Sequence, residues 1–387
     1  MSVFTAPIDI ANRACGRLGL GGAKRISVFN TVANGGDDTK QCSEMFFVYD
    51  KLRVAELRRN VWMFSIRKAV LRPLGTTSMR VTFSAWASGT SYNFGAVVTY
   101  NGVIYYSLVA SNMGNTPGTD YVNWAQYFGP VVALPWASGS SQGGPVEWSS
   151  TTNYALGDQA IGSDGYLYAS AVNGNLNNNP TTDGGVHWTK IGLAPTPNPY
   201  YSGELVYDTS NNVYLSLIDN NIDQPPSSNW YTLTGATLTE IQFLYPVGSG
   251  PATQSSSRNV YMLPNGYLRT APQDPKAGAT SFLGAPTGRM YDDWTYENGV
   301  FTTRTSEPVI FRFAADVSAV PQFDPMFCEG LAARMALETC ETITQSGEKL
   351  GEIGQIYKQF MGEARTVNGI EEGPTEPPED DWITCRI

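Results

Sequence analysis

Gly95–Ser107, GAVVTYNGVIYYS, reads as a strand, a tight turn at Asn101-Gly102 and a returning strand, with Gly102 supplying the positive φ that the turn needs. Around this hairpin the aromatic residues keep an order: Trp86, Tyr92, Gly95, Val98, Tyr100, Gly102, Tyr105, Pro117, Trp124. The order returns as Trp148, Tyr154, Gly157, Gly165, Tyr168, Pro180, Trp188, and again as Tyr200, Gly203, Val206, Tyr207, Val213, Tyr214, Pro225, Trp230. A recurring pattern of this kind marks three small β-hairpin modules. Units so short bury little surface, so Trp and Tyr must supply most of each core. Pro-rich stretches at 129–136 and 194–199 read as joints, giving copy 1 over 81–130, copy 2 over 131–193 and copy 3 over 194–236.

Outside this block the composition changes abruptly at Arg80, and the flanks carry helical periods. Pro7 followed by Ile10, Ala14 and Leu18 predicts a short amphipathic helix that ends in the glycines at 19–22. Cys42, Met45, Tyr49 and Leu52 predict a longer helix from about Thr39 to Val61, and Pro73 closes the segment 1–80. Residues 237–320 alternate apolar and polar side chains and predict strands, with a hairpin signal at Asn298-Gly299. Asp324-Pro325 caps a helix carrying Phe327, Leu331, Met335 and Ile343, and another runs from about Ser346 to Val367, within 321–368. The stretch 369–387, with Glu371, Glu372, Glu376, Glu379, Asp380 and Asp381, has no period and predicts an extended acidic tail. The fold class expected is α+β: a discontinuous helical-bundle domain with a strand region, carrying three inserted all-β modules.

The totals agree with several modules. The chain has 387 residues, 12% aromatic and only 16% charged, which suits small aromatic-rich β units. No apolar run is long enough to span a bilayer, and residues 1–9 lack the pattern of a signal peptide, so synthesis in a cytoplasm and no membrane partner are expected. Five cysteines, widely spaced and without a CxxC pair, read as reduced thiols. A net charge of −10 repels phosphate and argues against tight nucleic-acid binding, although an acidic channel past which DNA slides fits it.

Four stretches carry a resemblance: PIDIANRACGRLG (7–19), YDKLRVAELRRNVWMFSIRKAVL (49–71) with Tyr49, Arg53, Leu57, Trp62, Phe64 and Lys68, YMLPNGYLR (261–269), and FDPMFCEGLAARMALETCETITQS (323–346). Together, in order and spacing over about half of the chain, they resemble the tail tubular protein A, or head-to-tail adaptor, family of short-tailed phages. The resemblance lapses between 81 and 236, where the W, Y, G, Y, Y, P, W order is similar to small chitin-binding modules that accompany chitinases. In that family an exposed Trp and Tyr stack on sugar rings. Copy 3 departs from it, with Tyr200 or Tyr201 where the first Trp should stand.

Three sets of candidate contacts follow. Trp86, Tyr92, Trp124, Trp148, Tyr154 and Trp188 could form aromatic platforms for glycan or fibre proteins, the alternative being core packing. Arg53, Arg58, Arg59, Arg67 and Lys68, with Lys51 and Arg72, concentrate positive charge that could meet a portal or a neighbouring subunit, the alternative being a solvated helix face. Trp382 and Ile383 could anchor the acidic tail between portal subunits. Catalysis finds no constellation: the single histidine, His187, lies in a Gly-rich turn, Asp292 and Asp293 are adjacent and would diverge on a strand, and no cofactor or metal motif is present. What the adaptor resemblance implies is a virion protein at the head-to-tail interface, in a homo-oligomeric ring of roughly a dozen copies. The ring would join the portal to the tail nozzle, keep the DNA channel continuous without binding DNA specifically, and present its β modules outward for tail fibres or glycans. The competing expectation is a carbohydrate-binding fibre or spike component.

Overall fold

A computed structural model describes residues 4–22, 25–74, 78–136, 146–164, 166–193, 200–241, 259–271, 294–297, 299–303 and 308–372. Among them the fold is mixed α+β, with four α-helices and several small sheets. The helices are α1 (Pro7–Arg17), α2 (Lys40–Arg59), α3 (Pro325–Thr344) and α4 (Gly347–Glu372). Helix α3 is buried nearly all round, through Phe327, Cys328, Leu331, Ala332, Ala333, Met335, Ala336 and Cys340, which makes it the central helix against which the other three pack. Small residues allow the close approach: a Cβ on Gly330 would lie 2.2 Å from Met361 Sδ of α4. Caps fix the helix starts. Thr39 Oγ1 accepts from Cys42 N (3.3 Å), and Asp324 Oδ1 accepts from Met326 N (2.7 Å) and Phe327 N (3.1 Å).

Two points in the flanks differ from the sequence reading. Ile66–Leu71 is a strand, not part of a helical segment, and pairs antiparallel with Val309–Ala315, Ile66 opposite Ala314 and Leu71 opposite Val309. At the other end α4 runs on to Glu372, so residues 369–372 are helical and not the start of an extended tail. Residues 373–387, with Glu376, Glu379, Asp380, Asp381, Trp382 and Ile383, lie outside the described residues, as do Gly165, Asn298, Asp292, Asp293, Cys385 and the joint 194–199. Residues before 81 and beyond 258 share one core: Ile10, Met45, Leu57 and Trp62 lie in the same buried cluster as Tyr261, Phe301, Phe311, Phe313 and Phe327. Within it Phe301 stacks on Phe311 at 5.1 Å and on Tyr261 at 4.7 Å, and Trp62 meets Phe327 edge-on at 5.1 Å.

The chain leaves this body and returns to it through one antiparallel pair, Met79–Thr82 with Thr237–Glu240. Between them, each copy places the same hairpin and third strand together: Val97–Tyr100, Val103–Ser107 and Trp124–Gln126; Gln159–Ile161, Tyr166–Ser170 and Trp188–Leu193; Leu205–Tyr207, Val213–Ser216 and Trp230–Thr232. A leading segment adds to the first strand in parallel: Ala85 beside Thr99, Glu147 beside Ile161, and Pro135 beside Tyr207.

That last pairing corrects the domain boundaries. The strand Val132–Pro135 is not a joint, and it does not begin copy 2; it belongs to copy 3, and the backbone N–H of Trp136 donates to Tyr207 O (2.8 Å) just as Trp86 does to Thr99 O and Trp148 to Ile161 O (both 2.9 Å). Trp136 packs against the copy 3 cluster of Tyr200, Val206, Tyr214 and Trp230. Copy 3 therefore has its first tryptophan after all, and copy 2 is inserted into copy 3 between Trp136 and Tyr200.

Candidate docking surfaces

Each copy is built on one aromatic pair. Tyr92 meets Trp124 at 5.4 Å, Tyr154 meets Trp188 at 4.9 Å and Tyr200 meets Trp230 at 5.4 Å, with interplanar angles of 68°, 69° and 68°. All six rings are buried, the tryptophans at 1%, 1% and 5% exposure, and each indole N–H donates to a backbone carbonyl: Asn115 (2.9 Å), Asn178 (2.7 Å) and Asp223 (2.7 Å). Tyr92, Trp124, Tyr154 and Trp188 are consequently core, and a ring with no free face cannot stack on a sugar. Trp86, Trp148 and Trp136 are half-buried. Trp86 keeps an edge contact with Tyr100 at 5.3 Å.

A second recurring geometry escaped the sequence reading. Asn112 Nδ2 donates to Ser107 Oγ (3.1 Å) and Asn123 O (3.1 Å), and Ser107 Oγ donates to Val109 O (3.0 Å). Asn175 with Ser170 and Asn221 with Ser216 repeat it, both at 3.0 Å, and all six side chains are buried. The pattern Tyr-x-Ser-x-x-x-x-Asn was present three times in the sequence, at 105–112, 168–175 and 214–221. Its sense is satisfaction: a loop crossing a core this small must pair its buried polar groups internally.

Carboxylates close the turns. Asp183 accepts from the backbone N–H of His187 (2.5 Å) and Trp188 (3.0 Å) and lies 2.7 Å from His187 Nδ1. Asp120 serves Val122 and Asn123 alike (3.0 Å each), and Asp208 serves Ser210 (2.8 Å) and Asn212 (2.9 Å). Burial pushes these carboxyls up, but the donors outweigh it, and the pKa of each falls below the ordinary aspartate value. A depressed folded pKa stabilises the fold above the unfolded value and is lost as pH falls through the folded one. The β modules should hence lose stability as pH drops below about 4, which tryptophan fluorescence over pH 2–6 follows.

The basic residues do not form one face. Arg53 is buried, with Nη1 2.5 Å from Asp316 Oδ1 and 2.6 Å from Val317 O, and Nε 3.2 Å from Asp50. It ties α2 to the turn after Val309–Ala315, so it is an internal ion pair and not a surface contact. Arg67 is half-buried: Nη1 donates to Phe64 O and Ile66 O, Nη2 to Gln322 Oε1, and the guanidinium lies over Phe128 at 5.1 Å. Burial holds its pKa below the usual arginine value. Arg72 pairs with Glu204 of copy 3. Arg58, Arg59 and Lys68 are exposed; Arg59 also donates to Tyr357 OH (3.0 Å), and Arg269 caps the C-terminus of α2 at the carbonyls of Arg58 and Arg59.

On the helical body the open apolar surface lies elsewhere. Phe46 (36% exposed) and Phe47 (66%) face outward from α2, with Lys51 Nζ over the Phe47 ring at 3.2 Å, and Val28 and Val32 of the preceding segment are exposed as well. The sequence signal for it was a break in the α2 period, two adjacent phenylalanines of which Phe46 reaches Phe29 edge-on at 5.3 Å and Phe47 stays largely open. The four described cysteines are inert by position: Cys15, Cys42, Cys328 and Cys340 are buried and free, and burial pushes the Cys15 thiol up to about 11. No protein-family model matches the chain, and no curated protein matches it in sequence.

Proposed function

We propose that the chain is a virion structural protein, the ring-forming adaptor between the portal and the tail nozzle of a short-tailed phage: a discontinuous helical-bundle domain carrying three small inserted β modules. One observation carries the reading. The two ends of the chain, which hold the four stretches resembling the adaptor family, fold around a common core in which α3 is enclosed by α1, α2 and α4. A ring needs such a body, because a subunit wall must be rigid if its flanks are to meet head to tail and close. The exposed set Val28, Val32, Phe46 and Phe47 supplies apolar surface of the kind that subunit or portal contacts use.

The mechanism is steric and electrostatic. Neighbouring bodies close an annulus, the portal and nozzle seat on its two faces, and the net charge of −10 keeps a passing duplex from sticking. Copies 1 and 3 are anchored to the body: Gln126 Nε2 donates to Asp316 O (2.8 Å), Asn265 Nδ2 to Tyr127 O (2.6 Å), and Arg72 pairs with Glu204. They act as a pedestal for copy 2, which offers itself to fibres or other outer components. Electron microscopy of the purified chain, alone and with portal, should show closed rings and a stacked complex, and Phe47→Glu should reduce ring formation at least tenfold. A chain that stays monomeric beside portal would sink the reading.

A further inference from the structure

Each module has two sheet faces. The inner one holds the Tyr–Trp pair, and the outer one carries the alternate residues: Val97, Thr99, Ile104, Tyr106, Ala125 and Tyr127 in copy 1, and Leu205, Tyr207, Val213, Leu215, Tyr231 and Leu233 in copy 3. In the folded chain these two outer faces cover each other. Val97, Ile104, Tyr106 and Tyr127 share one cluster with Leu205, Tyr207, Val213, Leu215, Tyr231 and Leu233. The approach is close enough that a Cβ on Gly95 would lie 3.2 Å from Tyr231 Cβ and 2.9 Å from Leu217 Cδ2.

Copy 2 has the corresponding face, Gln159, Ile161, Leu167, Ala169 and Thr189, with Ile191 beside it at a β-bulge where Tyr168 pairs with Lys190 and Leu167 with Gly192. Ile161, Leu167 and Ala169 are only half-buried and Ile191 is 52% exposed. Among the described residues every hydrogen bond and ion pair of 146–193 is made within the copy, and its aromatic cluster draws on no other module. The chain thus uses this face twice for like-with-like docking and, among the described residues, sets no other module against the third example.

We infer that the outer face of copy 2, centred on Ile161, Leu167, Ala169 and Ile191, docks on the same face of copy 2 in a second chain. The occupant follows from the pair already present: copies 1 and 3 show that this sheet face is covered by another module of its own kind, and copy 2 has no fourth module within the chain. A contact of one face with itself is isologous and closes at two. Gln159 and Thr189 beside the apolar residues suit a pairing that forms after each chain has folded separately, since they keep the free face wettable.

The test uses the whole chain with Cys385→Ser, in which the four buried cysteines are shielded. Thr189 occupies the position of Tyr231, which packs against copy 1. Thr189→Cys with a short bis-maleimide should yield a species of twice the chain mass on a denaturing gel. Asn153→Cys, on the small sheet that pairs Asn153 with Leu176, should yield at least tenfold less. Adding Leu167→Glu and Ile191→Glu should abolish the Thr189→Cys product while the tryptophan emission and melting profile stay unchanged. Equal cross-linking at 153 and 189, or cross-linking indifferent to the two glutamates, overturns the inference. The pairing does not require a ring: a chain without rings that still cross-links at 189 sinks only the adaptor reading, and rings that fail to cross-link there sink only this one.

Discussion

Glu204→Ala is expected to cost about 3–5 kcal/mol, among the largest single losses available in the chain. The Arg72 guanidinium and the Glu204 carboxylate are bound through two contacts, Nε to Oε1 at 2.6 Å and Nη2 to Oε2 at 3.1 Å, with side-chain exposures of only 8% for Arg72 and 5% for Glu204. Burial works against the charge on Arg72, and the adjacent Glu204 more than offsets it, holding the pKa above the ordinary arginine value. Burial pushes the Glu204 carboxyl the other way, up, so the two partners do not share the cost equally. Arginine stays charged at any accessible pH, so the state that matters is a charged Arg72 beside an ionised Glu204. Alanine leaves that guanidinium buried without its carboxylate, and Tyr201 N loses the acceptor it holds at 2.6 Å. Removing both charges is a different experiment. Arg72→Met with Glu204→Leu fills similar volume without a charge to desolvate and should recover most of the loss. Thermal melting decides: a fall on the order of 10 °C for the single variant with recovery in the double supports the pair as a structural clamp between body and copy 3. A single variant that melts like the parent would show that water reaches the site.

How much of this was legible in the sequence depends on range. Local signals read well: the Asp324-Pro325 cap, the period of Ile10 and Ala14, and the glycines of the hairpin turns each act within a few residues. Partners far apart in sequence did not. Arg53 looked like part of a basic helix face because the carboxylate that neutralises it, Asp316, is 263 residues away. Ile66–Leu71 was hidden because the strand it pairs with, Val309–Ala315, lies at the other end of the chain. The same cause hid the start of copy 3. Trp86 stands six positions before Tyr92, but Trp136 stands 64 before Tyr200, because a whole module has been spliced between them. The aromatic order also could not say which rings were covered. A tryptophan that fills a core and one that stacks on a ligand are written with the same letter, and only the packing of Trp124 and Trp188 against Tyr92 and Tyr154 separates them.

Trp188→Ala should unfold copy 2 and nothing else. The indole is 1% exposed, lies 4.9 Å from the Tyr154 ring and satisfies Asn178 O, so its truncation costs about 3–5 kcal/mol. A module of this size seldom holds more than about 3–5 kcal/mol in total, so the loss is comparable with everything that keeps it folded. The damage stops there because, among the described residues, the hydrogen bonds of 146–193 close on themselves, and the strands that flank the insertion, Val132–Pro135 and Leu205–Tyr207, are bonded to each other. Trp230→Ala, the same change in copy 3, should behave otherwise: Tyr231 next to it packs into copy 1, so the two modules lose protection together. Hydrogen exchange read by mass spectrometry distinguishes the cases directly. For Trp188→Ala the amides of 146–193 should exchange as in a free chain while those of α3 and of Val309–Ala315 keep their parental rates. Loss of protection in the helical body would mean that copy 2 leans on it, and unchanged protection in copy 2 would mean that its core does not depend on the Tyr–Trp pair. Either result would remove the reason for treating copy 2 as a module free to meet a second chain.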